Sequence, residues 1–598
     1  ILYNGKIFDF NFYFFGNLLS AQEIISNLIS NPLLSQNKFI SNSNKSLLNL
    51  PFFDDFSYDT SIVNSDLWEK SSVFVNRNYP INPPTIGVAT FDGLDEFGLA
   101  RDFNQPNSAD PSDTLLSKKI NLSSLSSVYF MFYYQAKGIG DAPELQDKLI
   151  LEFCNDTLGW EQVWLSHDTI LEEFRKVVLV IDDSRFLHDA FQFRFRNYAT
   201  ISGNFDHWHI DYVKLDELLS SSDTMDLNDV AFVYNSPSFL KRYYEMPWTH
   251  FLNNESSELK DSIDIIIRNN SASINVDYQF NIFENNNQIF HYPTIGVSRN
   301  VSILDYDTIG NFSFSNPPIN ISNNLFNSFQ MDSTIFNIQH IIGTASSDNK
   351  LNDTLYHNQN FLSHFAYDDG TCEAAYGLNV NGAKIAYKFK LNRPDTLRAV
   401  QMYFPQMLDS VNDIPFQLTI WNDLNGIGNI VYQQEIFPVH TENGAYHTYY
   451  IDQPFKIVGT FYVGWEQTTG DLLNIGLDKN NQANDYMFYN VGAGWNVSSY
   501  LGSWMIRPVL SMQEIVSSTI NEKLQFRVFP NPASSKFYIQ TIDKNSVISI
   551  FSMQGVLIHR FNMTSNFQKI NVKNLSAGVY IVELLNEKNR RYQKIIVK

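Results

Sequence analysis

A chain of 598 residues is longer than one hydrophobic core supports, so about four domains are expected. An apolar fraction of 44% excludes general disorder, and a net charge of −21 with no basic stripe argues against nucleic-acid partners. Forty-eight Phe and 31 Tyr beside many Ile, Val and Thr suit pleated, half-buried surfaces, which predicts an all-β chain.

Residues 1–22 carry the apolar run Phe10 to Ala21 (FNFYFFGNLLSA), which ends in small residues before Gln22. It resembles the core and cleavage site of a secretory signal peptide, with a buried first strand as the alternative. Residues 23–50 are rich in Ser and Asn and read as a spacer with a helical start at Glu23 to Leu28. No run reaches the roughly 18 uninterrupted apolar residues of a spanning helix. The two cysteines, Cys154 and Cys372, lie far apart and read as buried small hydrophobes, with no disulfide framework.

From Pro51 the pattern becomes short apolar runs punctuated by Gly, Pro, Asn and Asp, the signature of tandem β-sandwiches. Residues 51–218 form one block, in which Phe191, Phe193 and Phe195 alternate with Gln192, Arg194 and Arg196 as in a strand buried on one face. Residues 229–360 read as one or two immunoglobulin-like modules. Residues 365–512 have the length and strand spacing of a jelly roll. Residues 513–525 read as a polar linker.

The last block, residues 526–598, reads FRVFPNPASSKFYIQ, VISIFSMQGVLIHRF, INVKNLSAGVYIVELL and RRYQKIIVK. Its turn residues predict about seven strands in a small immunoglobulin-like sandwich. Pro530, Asn531 and Pro532, the turn ending at Gly555, Leu575 followed by Gly578 and Tyr580, and Lys594 in the terminal strand resemble the type A C-terminal sorting domain of the type IX secretion system. Ser552 departs from the Asp or Asn common in that family. The resemblance implies inner-membrane passage by a signal peptide and outer-membrane crossing by the type IX translocon. It also implies removal of the domain by the sorting peptidase, with attachment to surface lipopolysaccharide. Upstream, Phe52 to Phe56 (FFDDF), Phe91 to Asp95 (FDGLD) and Phe205 to Asp211 (FDHWHID) resemble a MAM-type or lectin-like jelly roll. Phe461 to Gln467 with Ile475 to Asp478 resembles a second sandwich of such cargo. Neither resemblance fixes a ligand.

Several side chains carry candidate chemistry. Asp92, Asp95 and Asp211, with Asp55, sit at strand ends and turns, where hard oxygen ligands suit calcium, although Asp is also a turn residue. His207, His209 and Asp211 alternate along one strand and so share a face that suits a transition metal or a plain polar surface. Trp465, Trp495 and Trp504 offer ring faces for sugars or serve as core anchors. Asp-Thr-apolar triplets at Asp113, Asp156, Asp168, Asp307, Asp353 and Asp395 are similar to the O-glycosylation site of exported Bacteroidetes proteins, and a turn before a strand gives the same triplet. No Gly-x-Ser-x-Gly elbow or His-Glu-x-x-His motif occurs. The reading that follows is a secreted or surface-anchored protein that binds glycans or proteins for adhesion. A secreted hydrolase with its site in 51–218 or 365–512 is the alternative.

Overall fold

Apolar alternation folds into antiparallel strands throughout, and the protein is all-β, built of tandem β-sandwiches. The computed structural model describes residues 23–36, 39–40, 47–105, 109–224, 228–260, 263, 265–270, 274–292, 299–304, 311–314, 333–344, 348–407, 414–425, 429–441, 444–510, 527–529, 531–533, 535–540, 546–553, 556–563, 567–572, 575–585 and 590–598. The expected signal segment 1–22 lies outside the described residues. The chain divides into two compact units, Ile1–Met512 and Gln513–Lys598.

In the larger unit, the first sandwich pairs two sheets. One runs Arg175–Ile181, Val128–Ala136, Trp208–Glu217, Val88–Phe91 and Phe74–Asn76, with Phe52–Asp54 also on Trp208–Glu217. The other runs Trp68–Ser71, Ala109–Ser117, Phe193–Thr200, Lys148–Cys154 and Trp160–Ser166. Phe193 and Phe195 are fully buried against Phe52, Trp68, Phe130 and Phe132, while Arg194 and Arg196 take the outer face. Edge-to-face rings, such as Phe130 and Phe193 at 4.6 Å, fill the space between the sheets.

Beyond residue 229, one core runs through both remaining regions, from Val230 and Trp248 to Trp465 and Leu510. Tyr243, in the middle region, packs on Phe365, Tyr367 and Phe389. Buried ions lie at the same seam. Glu245 meets His364 at 2.8 Å, and Arg507 pairs with Asp368.

Residues 23–50 correct the expectation of a spacer with a helical start. Glu23–Ser26 is a strand, antiparallel to Ala374–Leu378, with Glu23 opposite Leu378 and Ser26 opposite Ala375. The β-branched pair Ile24 and Ile25 favours a strand. The buried Glu23 carboxylate accepts hydrogen bonds from the Tyr376 hydroxyl at 2.9 Å, the Ser499 amide at 3.2 Å and the Ser498 hydroxyl. A short helix, Pro32–Gln36, follows.

The smaller unit stacks a three-stranded sheet, Arg527–Phe529, Lys536–Gln540 and Phe567–Asn571, with a four-stranded one, Leu557–Asn562, Val547–Ser552, Gly578–Leu585 and Arg590–Val597. It has its own core of Val528, Phe537, Ile539, Ile548, Val582 and Ile595.

Candidate functional site

In the smaller unit the terminal strand is held at both edges. Along Gly578–Leu585 it pairs from Gly578 opposite Val597 to Leu585 opposite Arg590. On its other side the Asn531 carboxamide reads its backbone: Oδ1 accepts the Ile596 amide at 2.8 Å and Nδ2 donates to the Lys594 carbonyl at 2.8 Å. The next residue but one continues the contact, since the Ala533 amide donates to the Ile596 carbonyl at 2.7 Å and the Lys598 amide to the Ala533 carbonyl at 2.8 Å. Pro532, between them, has no amide to offer. Asn531 and Lys594, 63 residues apart, thus meet at one edge. Tyr580 is buried with its hydroxyl donating to the Ser576 carbonyl at 2.7 Å, and Leu575 packs against the same core. Gly578 is an ordinary strand residue. Its φ lies outside the left-handed region, and a Cβ there would meet nothing closer than the Ser576 carbonyl at 3.9 Å. Pro530 and Gly555 lie outside the described residues.

In the larger unit Asp92, Asp95 and Asp211 do not converge. Both Asp211 oxygens are taken by Thr85, whose amide donates at 2.9 Å and hydroxyl at 3.1 and 3.2 Å. Burial, and then the Asp55 charge, push Asp211 well above the usual carboxylate range. Asp92 accepts the Leu94 amide at 3.2 Å, and the amides of Asp92 and Gly93 both donate to Asp113 at 2.9 Å. Asp95 caps its own turn through the amides of Phe97 and Leu99, each at 2.9 Å. Asp55 is spent on Ser57, Asn349 and Asn352. Among the described residues, the acids that do meet are Glu144, Asp147 and Asp206. Sequence reasoning missed them because Glu144 and Asp147 carry no pattern beyond that of a polar loop.

His207 and His209 are buried side by side with ring centroids 6.4 Å apart. His209 Nδ1 meets the Thr90 hydroxyl at 2.8 Å, and His207 Nδ1 accepts the Asp141 amide at 3.0 Å. Burial lowers His209 to about 4. With Asp211 held by Thr85, the three do not form a ligand set. Trp465 and Trp504 are fully buried in the core, which removes them as a sugar platform, and Trp495 stands edge-on to Trp421 at 5.6 Å. The Asp-Thr triplets share no conformation. Asp113-Thr114 and Asp395-Thr396 are inside strands, Thr354 opens one, Thr157 is exposed in a hairpin turn, and Asp307 lies outside the described residues.

The outer face of the five-stranded sheet is chemically distinct. The Arg194 guanidinium lies 4.1 Å over the Trp160 ring and the Lys148 ammonium 4.1 Å over Tyr198. Glu152 takes Arg194 Nε at 2.5 Å and Arg196 Nη1 at 3.5 Å. The strands Lys148–Cys154 and Phe193–Thr200 pair Glu152 with Arg194 and Lys148 with Tyr198, so these groups form one row.

Residues 527–598 match the family described as the secretion system C-terminal sorting domain. No curated protein matches the chain. Among solved structures it is similar to PorZ, a type IX secretion surface component of Porphyromonas gingivalis, at 15% identity over 22% of this chain and 17% of that one, TM-score 0.13. It is also similar to Bacteroides uniformis β-glucuronidase 2 carrying two Asp-to-Ala calcium binding mutations, at 8% identity over 46% of this chain and 29% of that one, TM-score 0.19. A third is the tandem CBM22 domain of Paenibacillus barcinonensis Xyn10C, at 7% identity over 77% and 95%, TM-score 0.17. The chain spans less than a fifth of PorZ and less than a third of the glucuronidase. Among the described residues no helix is long and apolar enough to cross a membrane. Residues 527–598 are a secretion system C-terminal sorting domain, and the chain that carries them is a secreted or outer-surface protein exported by the type IX pathway.

Proposed function

We propose that the unit upstream of the tail is a binding and adhesion module whose ligand is an acidic glycan. The observation that carries this reading is the row of Lys148, Arg194 and Arg196 on one sheet face with Trp160 and Tyr198 beneath them. On a chain of net charge −21 this face concentrates cations, and only Glu152 offsets them within the row. Guanidinium forks bind sugar carboxylates bidentately, while the rings beneath hold the cations in place on the sheet. After export the sorting peptidase removes the tail within residues 513–526, and the new end is attached to surface lipopolysaccharide.

Affinity electrophoresis of the whole chain through gels of acidic and neutral polysaccharides tests the binding reading. Retardation by the acidic gels, weakened at least tenfold in Trp160→Ala and Arg196→Ala, is expected. Equal mobility in every gel, or retardation unchanged in both variants, would rule it out.

A further inference from the structure

Glu144 and Asp147 stand in the loop between the strands Val128–Ala136 and Lys148–Cys154, and Asp206 lies two residues before the start of the strand Trp208–Glu217. One carboxylate oxygen from each lies within 4.8 Å of the other two. Three negative groups at that spacing repel strongly where water is excluded. No Lys or Arg pairs with any of them among the described residues.

A second observation is independent of the clustering. Asp147 is fully buried. Its Oδ2 accepts the Glu144 amide at 2.6 Å, but its Oδ1 is shut off from water and has no hydrogen-bond partner. A buried carboxylate oxygen without a donor is costly, and native folds rarely leave one. Asp206, also buried, spends Oδ2 on the Thr200 amide at 2.7 Å. Glu144 is exposed, so the cluster opens to solvent on one side.

We propose that Glu144, Asp147 and Asp206 bind one calcium ion, with Asp147 Oδ1 as its buried ligand. Oxygens no more than 4.8 Å from one another can all reach a single ion at calcium–oxygen distances of about 2.4 Å. Three carboxylates with no imidazole or thiolate among them are a hard donor set, which selects calcium over zinc. Magnesium, which needs a near-ideal octahedron at shorter distances, fits a loop-borne set of this spread less well. The ion would fasten the 141–147 loop to the turn before Trp208. That loop is already docked there through Asp141, whose carbonyl accepts the His207 amide at 3.1 Å and whose amide donates to His207 Nδ1 at 3.0 Å. The site is distinct from Asp92, Asp95 and Asp211: Asp95 and Asp211 are held by donors of their own, and Asp92, whose Oδ1 accepts the Leu94 amide, is not among the three acids that converge here.

Calorimetric titration of calcium into the full chain after EDTA treatment, with thermal melting in parallel, tests the proposal. One ion per chain is expected, with a melting temperature that rises with calcium by mass action. Glu144→Gln should weaken the binding tenfold or more, and Asp147→Asn should abolish it. Glu144 is exposed, so its variant folds even if the Asp147 variant does not. No calcium bound, or an unchanged affinity in Glu144→Gln, would overturn the site, and equal binding of magnesium would overturn its assignment to calcium.

Discussion

Asn531 and Lys594 are joined by a hydrogen bond from the Asn531 carboxamide to the Lys594 carbonyl at 2.8 Å, while the same carboxamide accepts the Ile596 amide at 2.8 Å. One side chain therefore does for the terminal strand what a neighbouring strand would do. Replacing it leaves both backbone groups dependent on water. Because the site is exposed, the cost is at the lower end of the range for lost hydrogen bonds, about 1–2 kcal/mol for the pair. Asn531→Ala is expected to lower the melting transition of the sorting unit alone and to reduce surface display. Asn531→Asp, which keeps the acceptor and loses the donor, should fall between the two. Calorimetry with surface labelling checks both, and an unchanged transition in Asn531→Ala would show that the carboxamide is dispensable.

Gly578 invites the opposite expectation. Its sequence context reads as a tight turn needing positive φ, but it is the first residue of an ordinary strand with room for a Cβ. Gly578→Val is therefore expected to leave the fold intact and to shift stability by less than about 1 kcal/mol, since Val favours strands over Gly. Loss of the sorting-unit transition in this variant would show that the space is not there.

Buried acids make the larger unit sensitive to pH. Burial is the largest cause in raising Asp54 and Glu373 to about 7 and Asp229 to about 8. Each folded value lies above the unfolded one, so the native state keeps a proton that the unfolded chain has already lost. The stability this gives is complete below the unfolded value and drains away as pH rises through the folded one. His209 and His357, lowered to about 4 by burial, act in the other direction and are finished by about pH 7, where the unfolded imidazole is neutral as well. The net expectation is a melting temperature that falls from about pH 7 to about pH 8.5. Asp229→Asn keeps an oxygen for the Asn352 amide, which donates to Asp229 at 2.9 Å, and should flatten part of that slope. Melting curves across the range decide it, and a transition that rises with pH would contradict the burial of these groups.

What the sequence disclosed followed from local pattern. The alternation of Phe193 and Phe195 with Arg194 and Arg196 reads directly as one buried and one outer face, and the sorting tail is legible because its turn residues recur in a fixed order. What it hid depended on partners far away. Glu23 looks like the start of a polar helix until its partner Tyr376, 353 residues on, turns its segment into a strand. Asp211 looks like a metal ligand until Thr85 occupies both of its oxygens. Trp465 and Trp504 look equally suited to surface or core, and only the facing sheet decides.

The division of the chain at Met512 leads to the last prediction. The sorting unit packs around its own core of Val528, Phe537, Ile548 and Val582, while the upstream cores end at Leu510. A unit that folds around a core of its own is expected to keep its stability when the tail is removed. Deleting Phe526 to Lys598 is thus expected to leave the upstream melting transition within about 2 °C of its place in the full chain, a shift worth about 2 kcal/mol in a unit of this size. Export should respond differently, because the family match is confined to the deleted residues. The truncated protein is expected to accumulate in the periplasm, folded and protease-resistant, with none reaching the surface. Fractionation and surface labelling of cells that express it separate the two halves of the prediction. Normal display without residues 526–598 would remove the sorting role, whereas a periplasmic protein that is degraded or aggregated would show that the upstream sandwiches need the tail to fold.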